Sequence, residues 1–236
     1  MTNSPLLNVL AGRLQAVEDR LVAACRRAGR PRAGVTLVAV TKTVGPEVAA
    51  LLPELGVVDL GESRPQELWR KAAALPPNVR WHVVGHLQRN KVARTLPLVC
   101  LVHSVDSVRL LTALEQEAQR LKCAVPVLLE VNASHEASKH GFAPEEVPAL
   151  LPHIQRLQFV HVRGLMTMAA PDDDPERCRP TFAALRELRD RLQRETRPPH
   201  QLEQLSMGMS NDFEVAVEEG ATLVRLGTVL FEGLPA

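Results

Sequence analysis

The chain contains no tyrosine, and its aromatic residues make up only 3% of 236 positions. Acid–base chemistry by a phenol is therefore excluded. Lysine is scarce: Lys42, Lys71, Lys91, Lys122 and Lys139 are the only ones among 28 lysines and arginines. Arginine serves wherever any cation will do, so a lysine in an unusual place points to lysine chemistry. Cysteine is equally thin. Cys25, Cys100, Cys123 and Cys178 stand far apart with no CxxC pair, which suits reduced thiols in a cytoplasmic protein and argues against a disulfide framework or a zinc site. An excess of one charge is missing too. The formal net charge of +1 argues against nucleic acid or an anionic membrane as partner. No apolar run approaches the ~20 residues that span a bilayer. Charge enters the opening segment too early for a signal peptide.

What is present is a core-forming pattern, 45% hydrophobic and 23% charged. At this length the chain buries most of its surface without disulfides or a structural metal. Between Ser4 and Gly29, Leu6, Leu7, Leu10, Leu14, Val17, Leu21 and Val22 make a helical stripe, with Ser4 as N-cap and Pro5 at the first helical position. Gly29 and Pro31 end it. Val35–Val40 is then a short β-branched run, read as a buried strand. Further strands are expected at Val57–Leu60, Arg80–Val84, Leu101–His103, Val125–Asn132, Val160–Met166, Gln204–Met207 and Leu223–Leu226. Helical patterns lie between them, at Pro46–Leu55, Pro65–Ala74, Gln88–Thr95, Ser107–Lys122, Pro144–Ile154, Pro175–Arg194 and Asp212–Glu219. Eight apolar strands, each followed by a helix, imply a parallel sheet covered on both faces. The α/β reading is a single (β/α)8 TIM barrel over residues 1–236 with an extra N-terminal helix. An open doubly wound sheet is the alternative, weakened because no GxGxxG follows the first strand. About ten residues follow the eighth strand, so no second domain is expected there.

A barrel of this kind carries its site at the C-terminal strand ends. Strand one ends in Thr41-Lys42-Thr43, strand two in Gly61-Glu62-Ser63-Arg64, strand three in Gly85-His86 and strand four leads to Ser104 and Asp106. Strand six ends in Met166-Thr167-Met168, strand seven in Ser206-Met207-Gly208-Met209-Ser210 and strand eight in Arg225-Leu226-Gly227-Thr228. Lys42 follows six uncharged residues. An amine beside apolar walls and near other cations shifts toward the neutral form that condenses with a carbonyl; a lysine snorkelling to solvent has the same pattern. The small-residue loops after strands seven and eight suit a phosphate, held by free N–H groups and a helix N-terminus, although plain helix capping by Ser210 fits as well. A lysine and a phosphate cradle suggest one ligand carrying both an aldehyde and a phosphate. Pyridoxal 5′-phosphate has both, and an aldolase-type sugar phosphate fits the same residues. His82 and His86 are not expected to share a metal, since i and i+4 do not face each other in a strand-to-loop segment. Glu62 and Asp106 are read as helix-start or loop carboxylates, and Lys139 as part of a polar loop over the mouth.

Seven segments carry a resemblance. Leu37–Thr43, Gly61–Glu67, Trp81–Lys91, Ser138–Gly141, Gly164–Met168, Leu205–Phe213 and Val224–Thr228 resemble, in order and over nearly the whole chain, the pyridoxal phosphate homeostasis proteins. The resemblance implies a barrel of the alanine racemase type that holds pyridoxal 5′-phosphate as a Schiff base. It implies no established enzymatic turnover, and a role in buffering the cofactor or delivering it to apoenzymes that depend on it. Lys42 is then the Schiff-base lysine. Ser206, Met207 and Ser210, with Gly227 and Thr228, hold the phosphate. Arg225 lies near the ring or phosphate, and Ser63, His86 and Met166 line the pocket. The sequence departs from the family pattern at Ser63, where asparagine is usual, at Thr41, where serine is usual, and in a tail without a basic ending. The missing tyrosine removes the second base of a two-base racemase. A monomeric, cytoplasmic carrier is expected, with a racemase or another Schiff-base enzyme as the alternative.

Overall fold

A computed structural model describes residues 5–134 and 140–235. Eight parallel strands close into a barrel in chain order. They are β1 (Thr36–Val40), β2 (Asp59–Glu62), β3 (Arg80–Val83), β4 (Val99–Val105), β5 (Val125–Glu130), β6 (Val160–Met166), β7 (Gln204–Ser206) and β8 (Leu223–Leu226). Closure comes from β1 on β8, in register from Thr36 opposite Leu223 to Ala39 opposite Leu226. The (β/α)8 reading is correct, and so is the N-terminal helix, Pro5–Arg27. That helix buries Leu10, Val17, Leu21, Ala24 and Cys25 and ends at Gly29, whose φ of 63° is the left-handed conformation that glycine adopts without strain. Its Arg20 and Arg27 reach Glu214 and Glu218 at 3.0 and 2.6 Å, tying it to the helix Phe213–Glu218. Ser4 lies outside the described residues.

Alternation along each strand separates two apolar populations. The larger lies between strands and helices. A small one inside the barrel consists of Val38, Leu101, Leu128, Met166 and Leu223. Gly164 lets β6 approach β7, because a Cβ there would fall 1.8 Å from the Gln204 carbonyl oxygen.

Several elements differ from the sequence expectation. The expected helix Gln88–Thr95 is a 3-10 turn, Arg89–Lys91, and a single α-turn, Val92–Thr95. The expected helix Pro144–Ile154 starts at Val147, and Pro175–Arg194 is a 3-10 turn, Pro175–Cys178, followed by the helix Arg179–Gln193. β2 runs Asp59–Glu62 rather than Val57–Leu60, since the Glu62 carboxylate finds a buried partner and the strand continues through it. β4 extends to Val99–Val105 because His103 and Ser104, polar residues that looked like a strand end, are buried and hydrogen-bonded. The expected helix Pro46–Leu55 is two single turns, Pro46–Ala49 and Leu51–Glu54. Pro53 has no N–H for the continuing ladder. Among the described residues no helix is long and apolar enough to cross a membrane.

Candidate functional site

At the C-terminal strand ends lies a cavity of about 250 Å³. Six of the expected residues line it together: Lys42, Ser63, Ser210, Arg225, Gly227 and Thr228. Val40, Val84 and Met168 add apolar wall.

Lys42 leaves the end of β1 exposed, with no hydrogen-bond or ion-pair partner among the described residues. The backbone beneath it is clamped. The Thr41 N–H donates to the Gly61 carbonyl at 3.0 Å and the Thr41 hydroxyl to Glu62 Oε1 at 2.7 Å. Lys71, from the helix Pro65–Ala74, donates to the Thr41 carbonyl at 2.6 Å and to Glu62 Oε1 at 2.5 Å. Lys71 and Glu62 are each 1% exposed. A buried pair of this kind contributes little net stability, yet removing one partner costs several kcal/mol.

The anion end is assembled from two loops. Ser210 Oγ accepts from the Val229 N–H at 3.2 Å, joining the loop after β7 to the one after β8. Asp212 Oδ1 accepts from the Met209 N–H at 2.6 Å and holds the first loop in shape. Gly208, at φ 93°, sits where a Cβ would meet Ala216 Cβ at 2.6 Å, so glycine lets that loop lie against its own helix. The backbone N–H groups of Ser210, Asn211, Gly227 and Thr228 donate to no acceptor among the described residues.

Arg225 rises from β8 and is 4% exposed. Its guanidinium donates to the Thr167 carbonyl at 2.9 Å and to Ser206 Oγ at 2.6 Å. Burial pulls its pKa down to about 10, against the opposing pull of Asp212 and Glu130. Glu130, buried at the end of β5, is held above the usual carboxylate range by burial and by Asp106, with Arg225, His140 and His86 opposing.

Four expected site residues lie elsewhere. Ser206 is fully buried beneath the cavity and touches it only through Arg225. Met207 packs in the apolar layer outside the barrel, and its N–H is taken by the Leu223 carbonyl at 3.2 Å. Met166 packs inside the barrel, while Met168, two residues on, reaches the cavity wall. His86 is 48% exposed, bonded through Nδ1 to Asp106 Oδ2 at 2.7 Å and stacked on His140 at 5.1 Å. His82 is not near it but inside the barrel, against Asp59 and His103. Lys139 lies outside the described residues. Lys71 escaped the sequence reading, although Leu68, Lys71 and Leu75 form an i, i+3, i+7 stripe that marks it as inward-facing.

Known proteins share the sequence and the barrel. The family model described as alanine racemase, N-terminal domain, matches residues 13–235. A pyridoxal phosphate homeostasis protein of Aquifex aeolicus is 44% identical over 93% of this chain and 96% of its own. One from Pseudomonas aeruginosa is 37% identical over 95% and 96%. The chain belongs to the pyridoxal phosphate homeostasis protein family. PipY of Synechococcus elongatus has been solved with pyridoxal phosphate bound; it is 33% identical, with a TM-score of 0.81 over 94% of this chain and 99% of that one. The same barrel recurs in an alanine racemase of Clostridium difficile, at 15% identity and a TM-score of 0.77 over 97% of this chain and 58% of that one. That likeness concerns fold alone.

The residues at the mouth fit the group that family membership implies. Among the described residues, an unpartnered amine and four unpaired N–H groups share one cavity with a buried cation, and these are the partners that an aldehyde and a phosphate need.

Proposed function

We propose that this chain holds pyridoxal 5′-phosphate through a Schiff base on Lys42 and stores or hands on the cofactor without turning over a substrate. The observation that carries the reading is the Lys42 amine, exposed and without a partner among the described residues, in one cavity with the N–H groups of Ser210, Asn211, Gly227 and Thr228, which find no acceptor among those residues either. When bound, the cofactor supplies an aldehyde that condenses reversibly with an amine and releases water. Ser210, Gly227 and Thr228 bind the phosphate. Ser63 borders the ring, and Arg225 presents a fixed cation that disfavours protonation of a ring nitrogen beside it. The missing tyrosine supports a carrier rather than a two-base racemase. A mouth open to water and to small amines suits release of the cofactor to apoenzymes. The cell compartment is the reducing cytoplasm, given cysteines that form no disulfide among the described residues, and the working form is a monomer.

Borohydride reduction in the presence of pyridoxal 5′-phosphate, followed by peptide mass mapping, tests the attachment. The expected adduct is on the peptide that carries Lys42. An adduct on another lysine, with Lys139 the first alternative, or no adduct at all, overturns the assignment. Incubation with D- and L-amino acids and chiral chromatography tests the carrier role, which turnover well above free cofactor overturns.

A further inference from the structure

A polar chain crosses the barrel interior from floor to mouth, beside the apolar cluster of Val38, Leu101, Leu128, Met166 and Leu223. It starts at Asp59, the first residue of β2, on the edge of a floor cavity of about 560 Å³. Asp59 Oδ1 meets His82 Nε2 at 2.9 Å. His82 Nδ1 meets His103 Nε2 at 2.9 Å, and His103 Nδ1 meets Ser206 Oγ at 2.8 Å. Ser206 Oγ accepts from Arg225, which borders the mouth cavity. His82, His103, Ser206 and Arg225 are all buried. They come from β3, β4, β7 and β8, so no local rule of the chain brings them together.

Donors and acceptors can be assigned from one end. A guanidinium only donates, so Ser206 Oγ accepts from Arg225 and its own hydrogen goes to His103 Nδ1. His103 then carries its hydrogen on Nε2 and donates to His82 Nδ1. His82 carries its hydrogen on Nε2 and donates to the Asp59 carboxylate, which only accepts. With both rings neutral and both protonated on Nε2, every link is satisfied. All the dipoles run the same way, from the cation at the mouth to the anion at the floor, and linked bonds of this kind strengthen one another. Reversing one neutral ring faces two acceptors against each other or leaves the Ser206 hydrogen without a partner in the chain. The surroundings of His103 agree with this assignment, whereas at His82 burial lowers the pKa and Asp59 and Cys100 raise it by more. Burial, His82 and Arg225 hold His103 well below the ordinary histidine range. His82 also faces Cys100 Sγ at 3.4 Å, and Arg80 Nε lies 3.4 Å from Asp59.

We propose that Asp59, His82, His103 and Ser206 form a positioning relay that fixes the orientation in which Arg225 meets a ligand at the barrel mouth. The relay's effect on a ligand rests on the pyridoxal phosphate reading; its hydrogen pattern does not.

The test has two arms. In the chain without cofactor, imidazole ¹⁵N–¹H correlation spectra at pH 7.5 should show His82 and His103 neutral, with hydrogen on Nε2. A hydrogen on Nδ1 of either ring overturns the relay. In the second arm pyridoxal 5′-phosphate is titrated and read by absorbance. His103→Leu should weaken uptake by about tenfold and shift the absorption maximum. His103→Gln, whose amide can accept from Ser206 and donate to His82, should restore both. Leucine fills the site but leaves the Ser206 hydroxyl and His82 Nδ1 without their partner, so a purely structural histidine predicts a loss of stability with unchanged affinity and spectrum in His103→Leu; that result overturns the proposal. If His103→Leu does not fold, Asp59→Leu at the floor, remote from the ligand, reads the same two quantities under the same criteria. Failure of the unsubstituted chain to take up the cofactor defeats the pyridoxal phosphate reading, and the spectra of the free chain still decide the hydrogen pattern.

Discussion

Lys42 and Lys71 serve the same short stretch of β1 in opposite ways. Lys42 follows Thr41 in sequence, points its amine to the mouth cavity and meets no partner among the described residues. Lys71 comes from a helix, is 1% exposed, and spends its donors on the Thr41 carbonyl and Glu62. One amine is available to a ligand; the other holds in place the backbone that presents it. Position relative to a strand end separates a lysine exposed at the mouth from a buried structural one, and residue type alone does not.

Several experiments break or sharpen that contrast. The largest effect is expected from Lys42→Ala, which should abolish the absorption band formed with pyridoxal 5′-phosphate while changing stability by no more than about 0.5 kcal/mol, as exposed positions do. A band that survives, or a large loss in a denaturant titration, breaks the contrast from the reactive side. Lys71→Met should cost about 3–5 kcal/mol in the same titration by leaving the Glu62 carboxylate buried without a cation. Adding Glu62→Leu should recover most of that loss; a stable Lys71→Met single variant breaks the contrast from the structural side.

Acid separates the buried interior from the mouth. His103 is held well below its unfolded value of about 6.5, so the unfolded chain takes up a proton that the folded chain refuses. Its full contribution is present above that pH and is lost as pH falls, by at most about 1.4 kcal/mol per pH unit. His82 acts in the opposite sense. Burial alone would lower it, but Asp59 and Cys100 outweigh burial and raise it, so its contribution is present at low pH and lost as pH rises. The His103 displacement is the larger, so melting temperature should fall on acidification below about pH 6.5. In His103→Leu the curve should be flatter. An unchanged curve shows that His103 is not the group responsible. The smallest effect is at the anion end, where Ser210→Ala removes one acceptor that joins the two loops. It should weaken cofactor uptake about fivefold, equivalent to about 1 kcal/mol, and leave the absorption maximum in place. A moved maximum would put Ser210 at the aldehyde end instead.

Most of the barrel was legible because its signals are local. β6 and β8 match their apolar runs residue for residue, and the helix Pro65–Ala74 matches its stripe. The strand-end rule also found six residues that line one cavity. Met166, Ser206 and Met207 do not line that cavity: Met166 and Ser206 lie inside the barrel, Ser206 against His103 and Arg225, while Met207, next along the chain, faces the outer apolar layer. His86 stands at the end of β3 and bonds Asp106 without lining the cavity.

The sequence by itself determined the alternation of strands and helices, the family, and a lone lysine at the end of the first strand. Each of these is written in neighbouring residues or in short motifs. Only the tertiary structure decided that Lys71 is buried against Glu62, or that His82 and His103 join Asp59 to Arg225. A buried polar group is tolerable only beside its partner, and here the partners come from different strands, which meet only when the barrel closes.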